Sequence, residues 1–378
     1  MTPQEYLPWL TRQAVKIFCS YEFQWRKMMK FLYFILFFVP LPGWSYDSVT
    51  IKPTGPNKVG TRTIIIDNLT TQVYYPGKTI KRNYHKFDLR SYLPDEDRHK
   101  IPDHADPNLG CECFHGIFAA RTKNPKPVII LIHGTAGFST ASTNLSTDLA
   151  SHGFVVLAAD HPWIQLKDML QSTVGFVLKH QIKDTQKLLK SIRNENRSLK
   201  FLGPLDIKNI GLIGHSAGVG AVRNLAHKNE ITAVVAMAGN GILKTHKPKL
   251  IIGGTEDTLV KFRDQEEAYL EAPRPKALVG IEGAGHLAFT DICALMPNYG
   301  GILEAAMNFG LKVPVIIRNS GKDGCEEDNL DVVKGWAIIN GIVTGFLEQI
   351  MIKKDLNEEK FRHLVNQFTE IETARVDY

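Results

Sequence analysis

Four short stretches of the sequence carry residue types that together could activate a serine hydroxyl. In GLIGHSAGVG, Ser216 stands between glycines two positions away on each side, which is typical of a sharp strand-to-helix turn that exposes the hydroxyl. A glycine-rich HGTAG over 133–137 precedes it, and TED with Asp257 and GAGH with His286 follow it. Serine is a weak nucleophile until a histidine, held by a carboxylate, accepts its proton. The sequence therefore predicts a triad of Ser216, Asp257 and His286.

The sequence also contains candidates for the acid of this triad and for the donors to an oxyanion. Glu256 lies beside Asp257, and either carboxylate could face the histidine; Asp257 is preferred because the chain continues from it as DTLV into the next element. Attack by serine places negative charge on the former carbonyl oxygen, which must meet preorganised donors. We expect these donors to be the backbone N–H of Ala217, directly after the nucleophile, and the N–H of Thr135 in the HGTAG loop.

Other residues near these stretches are predicted to support the site. His215 is expected to pack beside the nucleophile, and His133 is expected to brace its own loop. Trp163, after ADHP, either lines a substrate cleft or packs inside the fold. The sequence gives no substrate-binding residues, because the loops over 161–173 and 239–247 have no pattern that specifies their shape.

The pattern of apolar runs predicts the elements that would position these residues. PVIILI, FVVLAA, NIGLIG, AVVAMA, KLIIGG and ALVGIE are short and continuous, as in strands buried on both faces. Helical spacing of apolar residues between them, as over 174–192, predicts a mostly parallel, twisted sheet with helices on both faces. The candidate residues follow the strand ends, where functional groups collect in such sheets.

The domain organisation is predicted as one catalytic core with extensions. TRTIIIDN and TTQVYYPGK indicate a hairpin in an N-terminal β extension, and the Pro-rich stretch after them indicates a loop. VVKGWAIINGIVTGFLEQIM indicates a last helix. No internal repeat or second fold-sized segment is evident. The predicted segments are a leader over 1–45, the extension and loop over 46–125, the core over 126–352 and a C-terminal tail over 353–378.

The N-terminal segment has the layout of a secretory signal peptide. Basic residues within 26–30 precede an unbroken apolar run over 31–39, and small residues follow, with cleavage expected after about Ser45. An uncleaved signal anchor is the alternative. Because 27 residues precede Met28, translation is expected to start at Met28 or Met29, unless the first segment is a cytoplasmic extension. The protein is therefore predicted to be exported.

The cysteines are consistent with an oxidising compartment. Removal of the leader takes Cys19 and leaves an even number that could pair in three ways: Cys111, Cys113, Cys293 and Cys325. Two cysteines separated by one residue bridge only with strain, so Cys293–Cys325 is the preferred pair. CECFH could be half of a metal site, but no second cluster completes it. No metal or organic cofactor is expected.

Composition excludes some partners and leaves others open. Apolar residues make up 44% of the 378 residues, charged residues 22%, and the net charge is +6, which is ordinary for a globular protein. The basic residues are scattered without interleaved aromatics, so a nucleic-acid surface is not predicted. A weak attraction to anionic membrane surfaces remains open. The oligomeric state is also left open.

Two parts of the sequence resemble a known family. VIILIHGTAGF…TDLASHGFVVLAADHP, followed by LDIKNIGLIGHSAGVGAV, resembles the α/β-hydrolase branch that contains platelet-activating-factor acetylhydrolases and bacterial dienelactone-hydrolase-like proteins. The resemblance covers residues 55–346 and is most specific over 128–220. It implies the α/β-hydrolase fold and the same nucleophile, base and oxyanion donors: Ser216, His286, Thr135 and Ala217.

The sequence also departs from this family. Some acetylhydrolases place the acid after the strand that follows the nucleophile helix, but MAGNGI over 237–242 has no carboxylate, so the acid is the later Asp257. Dienelactone hydrolases proper use cysteine where this chain has Ser216. We therefore expect an exported serine esterase or lipase for short or medium acyl lipids, with a Cys293–Cys325 bridge bracing the wall that holds His286. The alternatives are a cutinase-like polyester depolymerase and a non-catalytic binding module.

Overall fold

The protein is organised around a large mixed β-sheet, as seen in a computed structural model that describes residues 50–78, 83–171 and 178–378. The predicted leader over 1–45, with the proposed starts at Met28 and Met29, lies outside the described residues. The beginning of the long helix predicted over 174–192 lies outside them as well.

The strands extend along almost the whole described chain. In chain order they are β1 (Lys58–Ile66), β2 (Leu69–Gly77), β3 (His85–Asp88), β4 (Asn108–Cys111), β5 (Phe114–His115), β6 (Lys126–Ile132), β7 (Val155–Ala159), β8 (Leu205–His215), β9 (Ile231–Met237), β10 (Lys249–Gly254), β11 (Lys276–Ile281) and β12 (Ile371–Asp377). The large sheet has the order β12-β11-β10-β9-β8-β6-β7-β2-β1-β5, and β3 pairs separately with β4. The strands from β6 to β11 are parallel to one another.

Helices alternate with these strands and cover the sheet. They are α1 (Thr143–Ser151), α2 (Leu166–Leu170), α3 (Leu178–Arg193), α4 (Gly218–Leu225), α5 (Phe262–Glu271), α6 (Ile302–Asn308), α7 (Val315–Ser320), α8 (Val332–Leu347) and α9 (Glu358–Val365). One apolar core contains residues of α1 and α8, and a second contains residues of α3, α4 and α5. Two cores on one sheet mean that helices pack on both faces, as the sequence predicted.

The central strands are buried on both faces, which explains their continuous apolar sequences. In β6, every residue from Val128 to Ile132 is at most 3% exposed. Side chains of a strand alternate between the two faces of the sheet, so a strand covered on both sides needs apolar residues at successive positions. The predicted parallel sheet is therefore confirmed.

The N-terminal extension is continuous with the catalytic sheet. Strands β1 and β2 pair in antiparallel fashion, and β2 also pairs with β7. Asp67 and Asn68 form the turn, with φ of 46° and 66°, a left-handed conformation that these residue types tolerate better than most. The predicted hairpin is confirmed, and it lengthens the main sheet.

Two segments that lacked predicted elements contain regular structure. The C-terminal tail over 353–378 includes α9 and β12, and β12 pairs with β11 as the opposite edge of the sheet. The sequence of β12, IETARVD, has a weak apolar pattern because an edge strand buries little of its surface. The Pro-rich stretch before β4 contains three short 3₁₀ helices, at Leu89–Tyr92, Arg98–Lys100 and Asp103–Ala105.

The predicted last helix is present as α8, followed by a turn of π-helix over Glu348–Ile352. Together these residues are long and apolar enough to cross a membrane. Ile342, Val343 and Phe346 are at most 1% exposed and belong to the core that also contains α1. Burial against the sheet accounts for the apolar composition of this helix.

The carboxyl group of Asp291 is buried at the first turn of α1. It is 2% exposed, and its Oδ2 accepts the backbone N–H of Asn144 at 3.0 Å. Burial raises the pKa of Asp291 to about 7, against the lowering effect of the hydrogen bonds from Asn144 and the backbone of Thr143. Between about pH 4 and pH 7 the unfolded chain therefore carries this charge while the folded protein retains the proton. The carboxyl group costs stability as the pH rises through that range.

We expect Asp291→Asn to gain stability relative to the wild type as the pH rises from 5 to 8. An amide of the same shape retains an acceptor for Asn144 but does not ionise. Urea unfolding at pH 5 and at pH 8 measures the difference in the free energy of unfolding between the variant and the wild type. This difference should grow by a few kcal/mol, because each pKa unit corresponds to roughly 1.4 kcal/mol. Asp67→Asn, at an exposed turn, is the control and should show no such trend. A constant difference between Asp291→Asn and the wild type would contradict the assignment.

Candidate active site

Ser216 occupies a strained turn between β8 and α4. Its φ is 53°, in the left-handed region, and its N–H donates to Met237 O at 3.0 Å. A Cβ on Gly214 would come within 2.6 Å of the backbone of Gly218, and a Cβ on Gly218 within 2.2 Å of Ile132 O. The turn packs against its own next residues and against β6, so glycine is needed on both sides of the serine. The structure thus explains the Gly-x-Ser-x-Gly pattern.

The predicted acid and the predicted base meet beyond the ends of β10 and β11. His286 Nδ1 lies 2.8 Å from Asp257 Oδ2, and both side chains are buried. Asp257 Oδ1 accepts the N–H groups of Leu259 at 2.9 Å and Val260 at 2.7 Å, which fixes the carboxylate. Glu256 is exposed. The structure therefore brings Asp257, and not its neighbour, to the histidine.

Ser216 and His286 line one cavity of about 420 Å³. With Nδ1–H of His286 donated to Asp257, the tautomer leaves Nε2 as an acceptor. Ser216 is partly exposed, whereas the carboxylate behind the histidine is buried. The arrangement can lower the cost of removing a proton from the serine hydroxyl.

Two residues with candidate backbone donors lie in segments next to the serine. Thr135 lines the same cavity, and Ala217 directly precedes α4. Neither N–H has a hydrogen-bond partner among the described residues. A Cβ on Gly134 would lie 2.8 Å from Ser216 Cβ, so the loop that contains Thr135 closely approaches the serine. Two unpaired N–H groups beside a serine can stabilise an oxyanion.

His133 braces the loop, as the sequence predicted. Its Nε2 accepts the N–H of His161 at 3.1 Å, so Nδ1 carries the proton that is donated to Gly134 O at 2.7 Å. Burial, together with the nearby His161, lowers the pKa of His133 to about 3. The ring is therefore neutral at physiological pH, and both of its nitrogens are used in holding the loop.

His215 has a similar supporting position beside the base. Its Nε2–H donates to the backbone oxygen of His286 at 3.1 Å, and burial lowers its pKa to about 3. Trp163 is 51% exposed, so it is not simply packed inside the fold. It does not belong to the described lining of the Ser216 cavity, although α2, which follows it, contributes Leu166, Met169 and Leu170.

The sequence analysis missed Asp323, which connects the acid and base loops. Its carboxylate accepts the backbone N–H of His286 at 2.7 Å and that of Thr258 at 3.0 Å, and it also accepts the hydroxyl of Thr258. Its backbone oxygen accepts the N–H of Leu287 at 2.8 Å. Asp323 lies two residues before Cys325 in the sequence. Its place beside the preferred disulfide was the signal that could have identified it as a residue of the site.

Two disulfides are present, and one of them holds the Asp323 segment. Cys293–Cys325 confirms the preferred pair and ties this segment to the chain that follows His286. Cys111 and Cys113 are also bonded to each other, a pair that the sequence analysis left open because residues this close bridge only with strain. Their sulfurs are therefore not available to a metal. No group of three or more His, Cys, Asp or Glu in the described ranges could hold a metal ion.

Comparisons with known proteins show what the chain is similar to. A sequence model of the dienelactone hydrolase family matches residues 114–291, which include Ser216, Asp257 and His286. The chain is 25% identical to Cutinase est2 and 26% identical to Cutinase est1 of Thermobifida alba over 191 residues, which is 48% of this chain. The match spans about 60% of the length of each cutinase.

A solved structure shares the fold. The ferulic acid esterase from Streptomyces cinnamoneus superposes with a TM-score of 0.62 and 19% identity, covering 82% of this chain and 94% of that one. At this identity the likeness concerns the fold alone. The predicted acetylhydrolase branch stays a prediction.

We expect Asp323→Ala to slow the reaction of Ser216 with a fluorophosphonate probe by about tenfold or more. Loss of the carboxylate releases the backbone of His286 and of the Asp257 loop together, and small displacements of reacting groups can cost up to about a hundredfold. The labelling rate of Asp323→Asn, which retains one acceptor oxygen, should lie between those of the wild type and Asp323→Ala. Labelling rates measured on folded protein give the comparison.

Asp328→Ala is the matched control, since this exposed carboxylate lies in the same segment. It should label at the wild-type rate. If Asp323→Ala labels as fast as the wild type while both unfold at the same temperature, Asp323 has no positioning role.

Proposed function

Because the chain has the α/β-hydrolase fold, we propose that it is a serine hydrolase of carboxylic esters. Ser216 is the nucleophile, His286 the general base and acid, and Asp257 the carboxylate that orients the base. The N–H groups of Thr135 and Ala217 form the oxyanion hole. The protein is thus an enzyme that needs no metal or organic cofactor, rather than a binding module.

The proposed reaction proceeds through an acyl-enzyme. Ser216 Oγ attacks the acyl carbon while His286 Nε2 accepts the hydroxyl proton, and the oxyanion is stabilised by the two N–H groups, each worth about 2.7–4 kcal/mol. The imidazolium then donates that proton to the leaving alkoxide. Water attacks the acyl-enzyme with His286 as base, which releases the carboxylic acid and restores the serine.

The observation that carries this proposal is the hydrogen bond between His286 and Asp257 behind a cavity that contains Ser216. A structural histidine would not require a buried carboxylate, a strained serine and two unpaired N–H groups at the same place. Burial of Asp257 also supports the role, because its charge then acts on the imidazolium at low dielectric. A non-catalytic module offers no reason to retain all four features.

The cavity lining favours lipid-like esters as substrates. Its volume of about 420 Å³ lies within the usual range for ligand sites, and most of its walls are aliphatic. Leu303 of α6, Val313 between the two helices, and Ile316 and Ile317 of α7 belong to these walls. This supports an esterase or lipase for short or medium acyl lipids. The cutinase relatives favour the second candidate, a cutinase-like polyester depolymerase.

Export is part of the proposal. Two disulfides in the described chain support an oxidising compartment, in agreement with the predicted leader over 1–45. The proposed catalytic unit over 126–352 shares one sheet with the hairpin of β1 and β2, within the predicted extension over 46–125, and with the edge strand β12, within 353–378.

We expect Ser216→Ala to abolish both fluorophosphonate labelling and hydrolysis of p-nitrophenyl butyrate. Removal of the hydroxyl leaves nothing to form the acyl-enzyme, and losses of about 10⁶-fold are typical when such a nucleophile is removed. Ser198→Ala, at a serine that does not line the cavity, is the control and should label normally. Labelling that survives in Ser216→Ala, or a folded wild type that hydrolyses no ester, would refute the proposal.

The two candidate substrates can be separated on the same preparation. Initial rates on phospholipid vesicles, emulsified triglycerides and an aliphatic polyester film should favour the lipid esters, because the acyl site is walled on several sides. A rate confined to the polyester would instead select the depolymerase.

A further inference from the structure

A second apolar chamber adjoins the cavity that contains Ser216. It has a volume of about 40 Å³ and lies among Leu89, Ile101, Pro107 and Met296. Several residues line both spaces and so form the neck between them: Leu93, Phe138, Leu166, Ile302, Ala306 and Leu311. A shared wall of this kind places the chamber directly beside the active-site cavity.

The chamber is suited to hydrocarbon. Leu89 and Ile101 are buried at 7% and 5% exposure, and Arg90 is the single charged residue in the described lining. The guanidinium of Arg90 is already used, since it pairs with Asp88 at 2.7 Å and with Asp103 at 2.6 Å. No polar ligand group would find a free partner there, whereas an alkyl chain leaves none of these groups unpaired.

The walls of the neck come from two segments that pack against each other above the sheet. Ile101 and Leu311 belong to one small apolar cluster, with Leu93 and Ala306 packed against it. On the other side, Phe138 stacks on Tyr92 with ring centroids 4.4 Å apart, and the hydroxyl of Tyr92 accepts a hydrogen bond from Thr140 at 3.0 Å. The neck is therefore fixed by packing and by hydrogen bonding of its aromatic wall.

We propose that the inner chamber is the distal acyl subsite, which takes the methyl end of a linear alkyl chain whose ester group lies at Ser216. This inference rests on the proposed ester hydrolysis and specifies its substrates. A group the size of a water molecule occupies about 30 Å³. The main cavity of 420 Å³ therefore holds on the order of ten such groups. A chain of about eight carbons or more would then enter the neck.

The size of the residue at position 306 decides how far the chain can extend. Ala306 lies on α6 and lines both spaces, so a large side chain there would narrow the boundary between them. Each methylene kept out of an apolar site costs about fourfold in binding. Blocking the neck should therefore penalise long chains and spare short ones, which identifies Ala306 as a specificity-determining residue.

The test compares Ala306→Phe with Met307→Phe in the full chain. Met307 is the next residue of the same helix, is 37% exposed and lines neither space. We measure kcat/KM for p-nitrophenyl esters from acetate to palmitate. For the wild type and Met307→Phe, kcat/KM should increase with chain length up to at least the octanoate. Relative to the wild type, kcat/KM of Ala306→Phe should fall by about tenfold or more on the laurate and by less than about threefold on the butyrate.

A second variant tests the same neck in the opposite direction. Leu311→Ala widens it, so the preferred chain length should increase relative to the wild type, and thermal unfolding checks that the protein is folded. The inference is overturned if Ala306→Phe lowers kcat/KM equally for all chains, or if Leu311→Ala leaves the length profile unchanged. Failure of the proposed function is a different result, because the wild type would then hydrolyse no ester and take up no fluorophosphonate.

Discussion

The buried hydrogen bond between His286 and Asp257 is the interaction on which the site depends. It joins two loops that follow adjacent parallel strands, and it sets the tautomer that turns Nε2 into an acceptor. Its strength comes from the surroundings of the carboxylate, which accepts two backbone N–H groups and is 4% exposed. Without that support a buried negative charge would be costly, and the histidine would have no fixed orientation.

The neighbouring histidines show how burial separates supporting roles from reactive ones. Burial lowers the pKa of both His133 and His215 to about 3, so these rings remain neutral and act through hydrogen bonds to backbone oxygens. His286 differs because a carboxylate lies against its ring, so a positive charge formed during a reaction would be stabilised there. The same residue type thus braces a loop in one place and can exchange protons in another.

The part of the fold that shapes the substrate site is not the sheet itself. Residues between β11 and α8 and between β3 and β4 supply much of the aliphatic walls of both chambers. The Cys293–Cys325 disulfide and Asp323 connect the segment between β11 and α8 to the loop of His286, so the cavity walls and the proposed base are held by shared contacts. A substitution in this segment can therefore alter both the fit of the substrate and the orientation of His286.

The sequence alone determined the features that depend on neighbours along the chain. Continuous apolar runs predicted the buried strands, the glycines around Ser216 predicted its turn, and the order of strand ends indicated Asp257 and His286. Contacts between distant segments were decided by the tertiary structure: the link from Asp323 to His286, the second disulfide at Cys111 and Cys113, the pairing of β12 and the inner chamber behind Ala306. Periodicity and turn chemistry act over a few residues, whereas these contacts depend on the paths of loops whose sequences carry no such local signal.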